Sequence, residues 1–426
     1  MARNIADVAG VKSEPCSRDN MSQVDFAILI LTYNRPELVR HTLQSLAAQS
    51  YKAFHVRLVD NGSMPAIDPH SLPQLADLEV IRLESNRHPC DVAEQYWPGI
   101  PGTHFLWLGD DDALNPDALA RVADFFTTTP GAEFVFGGFA HFDHDARRPL
   151  INSKTFSGGV CEYDARLLAL GYCSAWNINA QGTPPPRSHP STTFICRRLL
   201  NRTVAIQGRL FVLPLGDVGF LGALACTSNA YYLNQPLAVI GISSTQDSRG
   251  MTRGRRKHWS RDVGNIRHSP VKSLSFANIA VESHLKAALP HRLIALDKVP
   301  CRPDFFRAHL AQILTDTPLD SVTLSDAHEA VKPAWSSLQT YPGRRLKEWR
   351  RNLKLKMALR VIAAAATTFQ PPSEALTSTQ VRLLRIAGWL VGASRVSSDV
   401  RPAPSESSEL FANIAEYARS LKNSKP

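Results

Sequence analysis

The sequence predicts an α/β protein with a mostly parallel sheet flanked by helices, followed by a helical C-terminal region. Through the first third of the chain, short apolar runs alternate with stretches of helical periodicity, which is the pattern of βαβ units. The runs are nearly continuous in apolar residues, as expected of strands buried on both faces of a parallel sheet. Beyond about residue 262 the periodicity of apolar residues is helical almost to the end of the chain.

The elements of the predicted sheet follow one another in chain order. The first strand, FAILIL, precedes Pro36, which suits the first turn of a helix, and this helix ends near Gln49. A strand around Trp107 precedes a helix over residues 116–126. The predicted strands are residues 26–31, 54–59, 78–83, the run around Trp107, and 133–140. Residues 230–242 predict a strand pair or a strand and turn.

The chain of 426 residues is long enough for two domains. The apolar periodicity after the sheet region is clearest in two helices, at residues 344–369 and 380–395. The predicted divisions are a loose leader (1–23), an α/β domain (24–245), a basic mobile loop (246–262), a helical region (263–396) and a tail (397–426).

The composition is that of a soluble globular protein, with 44% hydrophobic and 20% charged residues. Seven scattered cysteines predict reduced thiols in a cytosol-like compartment. The first twenty residues have no apolar core of a signal peptide, and no run reaches the roughly 20 apolar residues of a membrane span. We therefore expect a cytoplasmic protein, with the inner face of a membrane as an alternative place of action.

The net charge of +10 is concentrated in two segments, residues 249–261 and 344–360. Basic segments meet nucleic acid, anionic lipid or phosphorylated substrates. The chain carries no nucleic-acid-binding motif, so we expect no nucleic-acid partner. Two alternatives remain for the basic helix at residues 344–369: a peripheral contact with anionic lipid, or packing against the α/β domain with its charges facing water. For residues 380–395 we expect the packing.

Three consecutive aspartates, Asp110–Asp112, follow the apolar run HFLWLG. Adjacent carboxylates at the end of a buried strand repel one another, and a divalent cation relieves that repulsion. Carboxylate oxygens favour hard ions such as Mg²⁺ or Mn²⁺. The alternative is a solvated acidic turn that caps the next helix.

Polar residues also follow the other predicted strands. In an open parallel sheet the carboxyl ends of the strands lie at one edge, and ligands bind beyond it. The segments at this predicted edge are residues 32–35 (TYNR), 60–63 (DNGS), 86–87 (NR) and 110–112 (DDD). Their shared position raises the metal interpretation of the aspartates above the acidic-turn alternative.

Three segments together resemble glycosyltransferase family 2, whose fold is GT-A: FAILILTYNRPELVR from residue 26, LVDNGS from residue 58 and FLWLGDDDALNPDAL from residue 105. The resemblance covers roughly residues 24–245 and is strongest over 26–119. The family often has Asp-x-Asp-Asp before the helix, and Gly109 stands here in place of the first aspartate.

The resemblance implies transfer of a sugar from a nucleotide diphosphate, in which an Mn²⁺ or Mg²⁺ ion neutralises the charge of the leaving group. It implies that Asp111 is the direct metal ligand with Asp112 beside it, and that Asp60 contacts the nucleobase, with UDP as the expected nucleotide. The alternative for Asp60 is a turn residue before Asn-Gly. The implied donor-binding residues are Thr32, Tyr33, Arg35, Asp60, Asn86, Arg87 and Asp110.

An inverting transferase needs a general base to accept the proton of the acceptor hydroxyl. The family places an acidic base about a hundred residues after the metal motif, and Asp217 in LPLGDVGFL matches that place. The alternative, that Asp217 caps a helix, is compatible with this role. His189 and His258 are further candidates for the metal shell or the acceptor, although both lie in predicted loops.

The expected function is a metal-dependent, inverting glycosyltransferase that uses a UDP-sugar and a cell-surface glycan or lipid-linked acceptor. A sugar-phosphate nucleotidyltransferase is one alternative, but its Gly-rich phosphate loop is absent after the first strand, where Thr32–Arg35 stand. A non-catalytic relative that binds nucleotide sugars is the second alternative, and the intact acidic cluster argues against it.

Overall fold

The computed structural model describes a central mixed sheet with helices on both faces, followed by a bundle of helices. The described residues are 24–150, 156–173, 188–212, 220–243, 269, 271, 276–292, 303–314, 321–340, 346–367, 376–391 and 413–423. The predicted fold class is confirmed, because a largely parallel half of the sheet and a helical C-terminal region are both present.

Four parallel strands form the N-terminal half of the sheet, in the order β3-β2-β1-β4. The register pairs Thr32 with Asp60 and Leu31 with Gly109, so the carboxyl ends of three strands meet at one edge. The first strand is buried along nearly its whole length, which explains its continuous apolar sequence. The four strands are β1 (Phe26–Thr32), β2 (Phe54–Asp60), β3 (Leu78–Arg82) and β4 (His104–Gly109).

The other half of the sheet contains antiparallel pairs and continues in the order β9-β6-β10-β5. The segment 230–242, predicted as a strand pair or a strand and turn, is one long strand, β10, whose register against β6 shifts around Pro236, which has no amide to donate. The remaining strands are β5 (Ala113–Leu114), β6 (Phe134–Asp143), β7 (Arg148–Leu150), β8 (Val160–Asp164), β9 (Thr193–Cys196) and β10 (Asn229–Ile242).

Two apolar clusters cover the two faces of the sheet. One lies under α1 and α3, and the other lies under α2 and the helices that follow β8 and β9. Helix α2 was not predicted; it is only eight residues long and begins at Pro89. The helices of this region are α1 (Pro36–Ala47), α2 (Pro89–Tyr96), α3 (Ala118–Thr128), α4 (Ala165–Cys173), α5 (Arg197–Gln207) and α6 (Phe220–Ala225).

The C-terminal helices share an apolar core of their own. They are α7 (Phe276–Ala288), α8 (Pro303–Ile313), α9 (Ser321–Glu329), α10 (Val331–Thr340), α11 (Leu346–Thr367) and α12 (Ser378–Val391). Within the described parts of the chain, no helix combines the length and apolar character needed to cross a bilayer. The last described helix, α13 (Ile414–Asn423), packs back on α1, β5 and β10 of the sheet.

Candidate active site

The loops after β1 and β2 are joined to each other by hydrogen bonds. Asn34 takes a left-handed backbone conformation with a φ of 56°, which asparagine tolerates better than most residues. Its amide donates to Ser63 Oγ at 2.9 Å, and its Oδ1 accepts from the amide of Met64 at 2.7 Å. These contacts set the backbone at the end of β1, where Tyr33 is left exposed.

Asp60 is 1% exposed and its carboxylate accepts several hydrogen bonds. Oδ1 accepts from the amide of Ser63 at 2.8 Å, while Oδ2 accepts from the Ile67 amide at 3.3 Å and from Arg82 Nη1 at 3.1 Å. These bonds are those of a turn-forming aspartate, the alternative that the sequence left open. These described donors occupy three of the roughly four acceptor positions that a carboxylate offers.

Asn61 connects the β2 loop to the segment after β3. Its side chain makes two hydrogen bonds with the backbone of Arg87, at 2.8 and 3.0 Å, and its own amide donates to the Thr32 carbonyl. Asn86 Nδ2 contacts the Asn61 carbonyl at 3.4 Å. The predicted donor-binding residues on β1, β2 and the 86–87 segment therefore share one edge of the sheet.

The side chains of Asp110 and Asp111 lie beside the guanidinium group of Arg35. Arg35 Nη1 is 3.1 Å from Asp110 Oδ1 and 3.6 Å from Asp111 Oδ2, and all three side chains are mostly buried. Burial raises the pKa of the Asp110 carboxyl, and the Arg35 charge opposes that rise. The Thr32 hydroxyl is close enough to lower the pKa of Asp110, but in the described part of the chain it has no hydrogen-bond partner of good geometry.

Asp112 has different partners from its two neighbours. Its Oδ2 accepts from the hydroxyl of Ser191, and its Oδ1 accepts from the amide of Gly241 at 2.9 Å. His189 Nδ1 is 3.8 Å from the same Oδ2. Burial raises the pKa of the Asp112 carboxyl to about 7. Asp112 thus links residues 110–112, which we call the aspartate loop, to β10 and to the segment before β9.

Close packing of β10 against the aspartate loop explains why residue 241 is a glycine. A Cβ at this position would lie 1.8 Å from the Asp111 carbonyl oxygen, so only glycine fits. His144 Nε2 lies 2.8 Å from the same oxygen and must be the donor, because a carbonyl only accepts. Burial lowers the pKa of His144, which favours the neutral ring.

Gly109, where the family pattern often has aspartate, is explained by the position of Asp112. A Cβ on Gly109 would lie 2.6 Å from Asp112 Oδ2, and the Gly109 amide donates to Ser191 Oγ at 3.0 Å. The space that a first aspartate would need is therefore filled by the third one. In this chain Asp110 and Asp111 are the carboxylates that lie on the side of Arg35.

The structure brings most of the predicted site residues to one edge. Two strand spacings separate the ends of β2 and β4, so Asp60 and Asp110 lie on either side of β1 at about 10 Å. Asp217 and His258 lie outside the described residues. Sequence reasoning missed Ser191, Gly241 and His144, because each is far from the aspartates along the chain and lies in no recognisable motif.

The donor set fits one type of metal site. Among the described residues, no three His, Cys, Asp or Glu side chains converge as metal ligands. Magnesium is commonly held by one or two carboxylates together with substrate phosphates and water. Asp111 fits that arrangement, with Asp112 holding the loop in place.

The part of the chain that holds this edge is similar to a known protein family. Residues 27–172 match the family model described as glycosyl transferase family 2. The matched range is about a third of the chain, and it contains all the predicted donor-binding and metal residues, whereas Asp217, His189 and His258 lie beyond it.

The chain is also similar to particular proteins. It is 32% identical over 153 residues to a PGL/p-HBAD biosynthesis glycosyltransferase of Mycobacterium bovis and to one of Mycobacterium tuberculosis. That match covers 35% of this chain and 56% of each relative, so it spans little more than half of their length. An uncharacterized glycosyltransferase of Haemophilus influenzae is 26% identical over 129 residues, which is 30% of this chain and 40% of that protein.

Among solved structures, crystal structures of S. aureus TarS are similar to this chain. One covers 80% of this chain and 53% of its own, with 15% identity and a TM-score of 0.41. TarS 1–349 in complex with UDP-GlcNAc covers 86% of this chain and 91% of its own, with 14% identity and a TM-score of 0.40.

Proposed function

We propose that this chain is a metal-dependent, inverting glycosyltransferase. It would move a sugar from a nucleotide diphosphate, with UDP favoured, to a glycan or lipid-linked acceptor. The observation that carries the proposal is the placement of Thr32, Asp60 and Asp111 at one edge of the sheet, within a family 2 glycosyltransferase domain. Open sheets of this type bind ligands beyond that edge.

Each residue at the edge has a role in this proposal. Asp111 is the carboxylate that would hold Mn²⁺ or Mg²⁺ with the diphosphate oxygens, and the ion would supply charge neutralisation for the leaving group. Asp110 and Arg35 stand beside it, and the Arg35 guanidinium is suited to a phosphate oxygen. Asp60 would accept a hydrogen bond from a uracil imide, while Thr32 and Tyr33 frame the nucleoside and Asn86 and Arg87 close its far side.

A screen of nucleotide sugars with Mn²⁺ or Mg²⁺ tests the proposal. Donor binding is read from the shift in melting temperature, and turnover is read from nucleotide release. We expect UDP-sugars to give both signals and chelation by EDTA to remove turnover. Binding without nucleotide release for any sugar and acceptor would instead indicate a non-catalytic nucleotide-sugar-binding protein.

Replacing Asp111 tests the metal ligand. We expect Asp111→Asn to lower donor turnover by about two to three orders of magnitude, because an amide oxygen carries no net charge to hold the ion. The exposed Asp124 on α3 makes the same charge change away from the site, so Asp124→Asn is the matched control. If Asp111→Asn and Asp124→Asn turned over donor equally well, the metal assignment would be lost.

Asp217 is proposed as the general base on the strength of its sequence context. We expect Asp217→Asn to leave the donor-induced melting shift intact while transfer to acceptor falls at least about a hundredfold. Asp111→Asn should instead weaken the metal-dependent shift itself. Transfer at the normal rate by Asp217→Asn would place the base elsewhere in the chain.

A further inference from the structure

The outer side of the two longest C-terminal helices exposes large apolar side chains. Trp349 is 51% exposed on α11 and Trp389 is 70% exposed on α12. Burial of such side chains is normally favourable, and an exposed apolar group of this size marks an interaction surface. We name this surface the docking face, and it consists of Trp349, Leu353, Met357, Ile386 and Trp389.

Helix α11 is apolar on two opposite sides. Its inner side, which includes Leu355, Leu359 and Ile362, is fully buried in the C-terminal core. Trp349, Leu353 and Met357 recur every four residues and therefore form a separate stripe on the outer side. A helix that packs on one side only needs one apolar stripe, so the second stripe is not required for folding.

Helix α12 also exposes large apolar side chains on the side away from the shared core. Gln380 Nε2 near its start donates to the Ala365 carbonyl near the end of α11 at 3.2 Å, so the two helices fold back on one another. Both contribute their inner sides to the same core. Ile386 and Trp389 lie on the side of α12 opposite the buried Leu384.

The charge around the docking face is almost entirely positive. Helix α11 contains six basic residues and one acidic residue, and α12 contains two basic residues and no acidic one. On α11, exposed Arg350 and Lys354 stand on one flank of the stripe and Lys356 and Arg360 on the other. Exposed Arg382 and Arg385 lie next to Trp389 on α12.

We propose that the docking face binds the surface of an anionic lipid bilayer. Tryptophan favours the boundary between lipid and water, and long basic side chains bury their stems while their charges reach the headgroups. Interfacial helices combine an apolar stripe with Lys and Arg beside it. A second copy of the chain would bring like charges of the two docking faces against one another, which makes a dimer through this face a poorer match than an anionic surface.

Vesicle flotation of the full chain tests this docking. The probes are phosphatidylcholine vesicles with and without about 30% phosphatidylserine, each at about 0.1 M and 1 M salt. We expect flotation with the phosphatidylserine vesicles at low salt, and at least a tenfold weaker affinity with neutral vesicles or at high salt. Flotation that depends on neither lipid charge nor salt would contradict the proposal.

Variants assign the binding to the docking face. We expect Trp349→Ser with Trp389→Ser to weaken vesicle affinity at least about tenfold, since both side chains enter the interface. Arg350→Glu with Lys354→Glu should weaken it at least about thirtyfold, because each basic residue near an anionic surface contributes about fivefold. Leu167→Ser and Lys52→Glu are the controls, because they change exposed residues beside the sheet and away from the docking face. Both variants should bind vesicles as the parent does.

Two further measurements distinguish lipid docking from misfolding and from dimer formation. All these positions are exposed, so melting temperatures should stay unchanged, and a variant that melts early would be replaced by Met357→Ser. Analytical ultracentrifugation tests whether the docking face instead binds a second copy of the chain. The proposal would be overturned if the parent chain did not bind vesicles but formed a dimer, and if Trp349→Ser with Trp389→Ser dissociated that dimer. Asp111→Asn should float like the parent, so docking and the proposed transfer reaction can fail separately.

Discussion

The three aspartates after β4 show how neighbouring residues of one type take different roles. Asp110 and Asp111 are held beside Arg35, while Asp112 accepts from Ser191 and Gly241. Each arrangement lowers the cost of placing a carboxylate in a buried loop. The same loop therefore presents one part of its charge to the proposed donor site and uses the other part to hold its own shape.

Asp60 carries a structural role in addition to the proposed one. We expect Asp60→Ala to lower the free energy of unfolding by about 2–4 kcal/mol, because two amides and Arg82 lose a buried acceptor. Asp68 makes one comparable turn bond, to the amide of His70, but is exposed. Asp68→Ala should cost less than about 1 kcal/mol in the same urea titration. Equal losses for both variants would contradict the role assigned to the buried carboxylate.

At the level of the element, β4 brings the aspartate loop to the sheet edge. We expect the first residue of β4, His104, to make the stability of the folded chain sensitive to acid. The ring of His104 packs against that of Phe126, with centroids 4.0 Å apart, and burial lowers the pKa of His104 to about 4. The unfolded chain has an ordinary histidine pKa of about 6.5. Between these two values the unfolded chain binds a proton that the folded chain does not.

Stability should therefore fall as the pH falls from about 6.5 to about 4, by at most about 3 kcal/mol from this residue. We expect His104→Gln to have a shallower loss over that window in urea unfolding, even if it is less stable at pH 7. The exposed His70→Gln should keep the slope of the parent. A slope unchanged by His104→Gln would show that other groups cause the acid sensitivity.

At the level of the whole molecule, the chain returns to the sheet through α13. Tyr417 stacks on Phe142 with ring centroids 5.8 Å apart, and Phe142 contacts His144, which donates to the Asp111 carbonyl. These contacts connect the last described helix to the aspartate loop. The helical bundle that precedes α13 has its own core, whereas α13 packs on the sheet through a separate apolar cluster that includes Phe142 and Ile414.

We expect Tyr417→Ala to lower the free energy of unfolding by about 2 kcal/mol and to lower kcat several-fold. The reason is that Phe142, which contacts His144, loses the ring that stacks on it. Tyr417→Phe keeps the ring and should restore both quantities. The measurements are urea unfolding and nucleotide release with saturating donor. A loss of stability with an unchanged kcat would limit α13 to a purely structural role.

Much of the site could be predicted because its signals are local. Strand β1 is apolar along its length, and parallel strands bring their carboxyl ends to one edge, so residues 32–35 and 110–112 were predicted to be neighbours. The helix at 344–369 was predicted from its periodicity and is observed as Leu346–Thr367. The single strand β10 was not predicted, because a proline such as Pro236, where the register shifts, is typical of a turn in the sequence.

The sequence by itself determined the four parallel strands, the edge that carries the polar residues, and the acidic motif, since each follows from the spacing of residue types along a short stretch. Only the tertiary structure decided which partner each aspartate has. Ser191 is 79 residues from Asp112 and Gly241 is 129 residues from it, so no local pattern could connect them. It also decided which apolar stripe of α11 is buried, because burial depends on neighbours that come from distant parts of the chain.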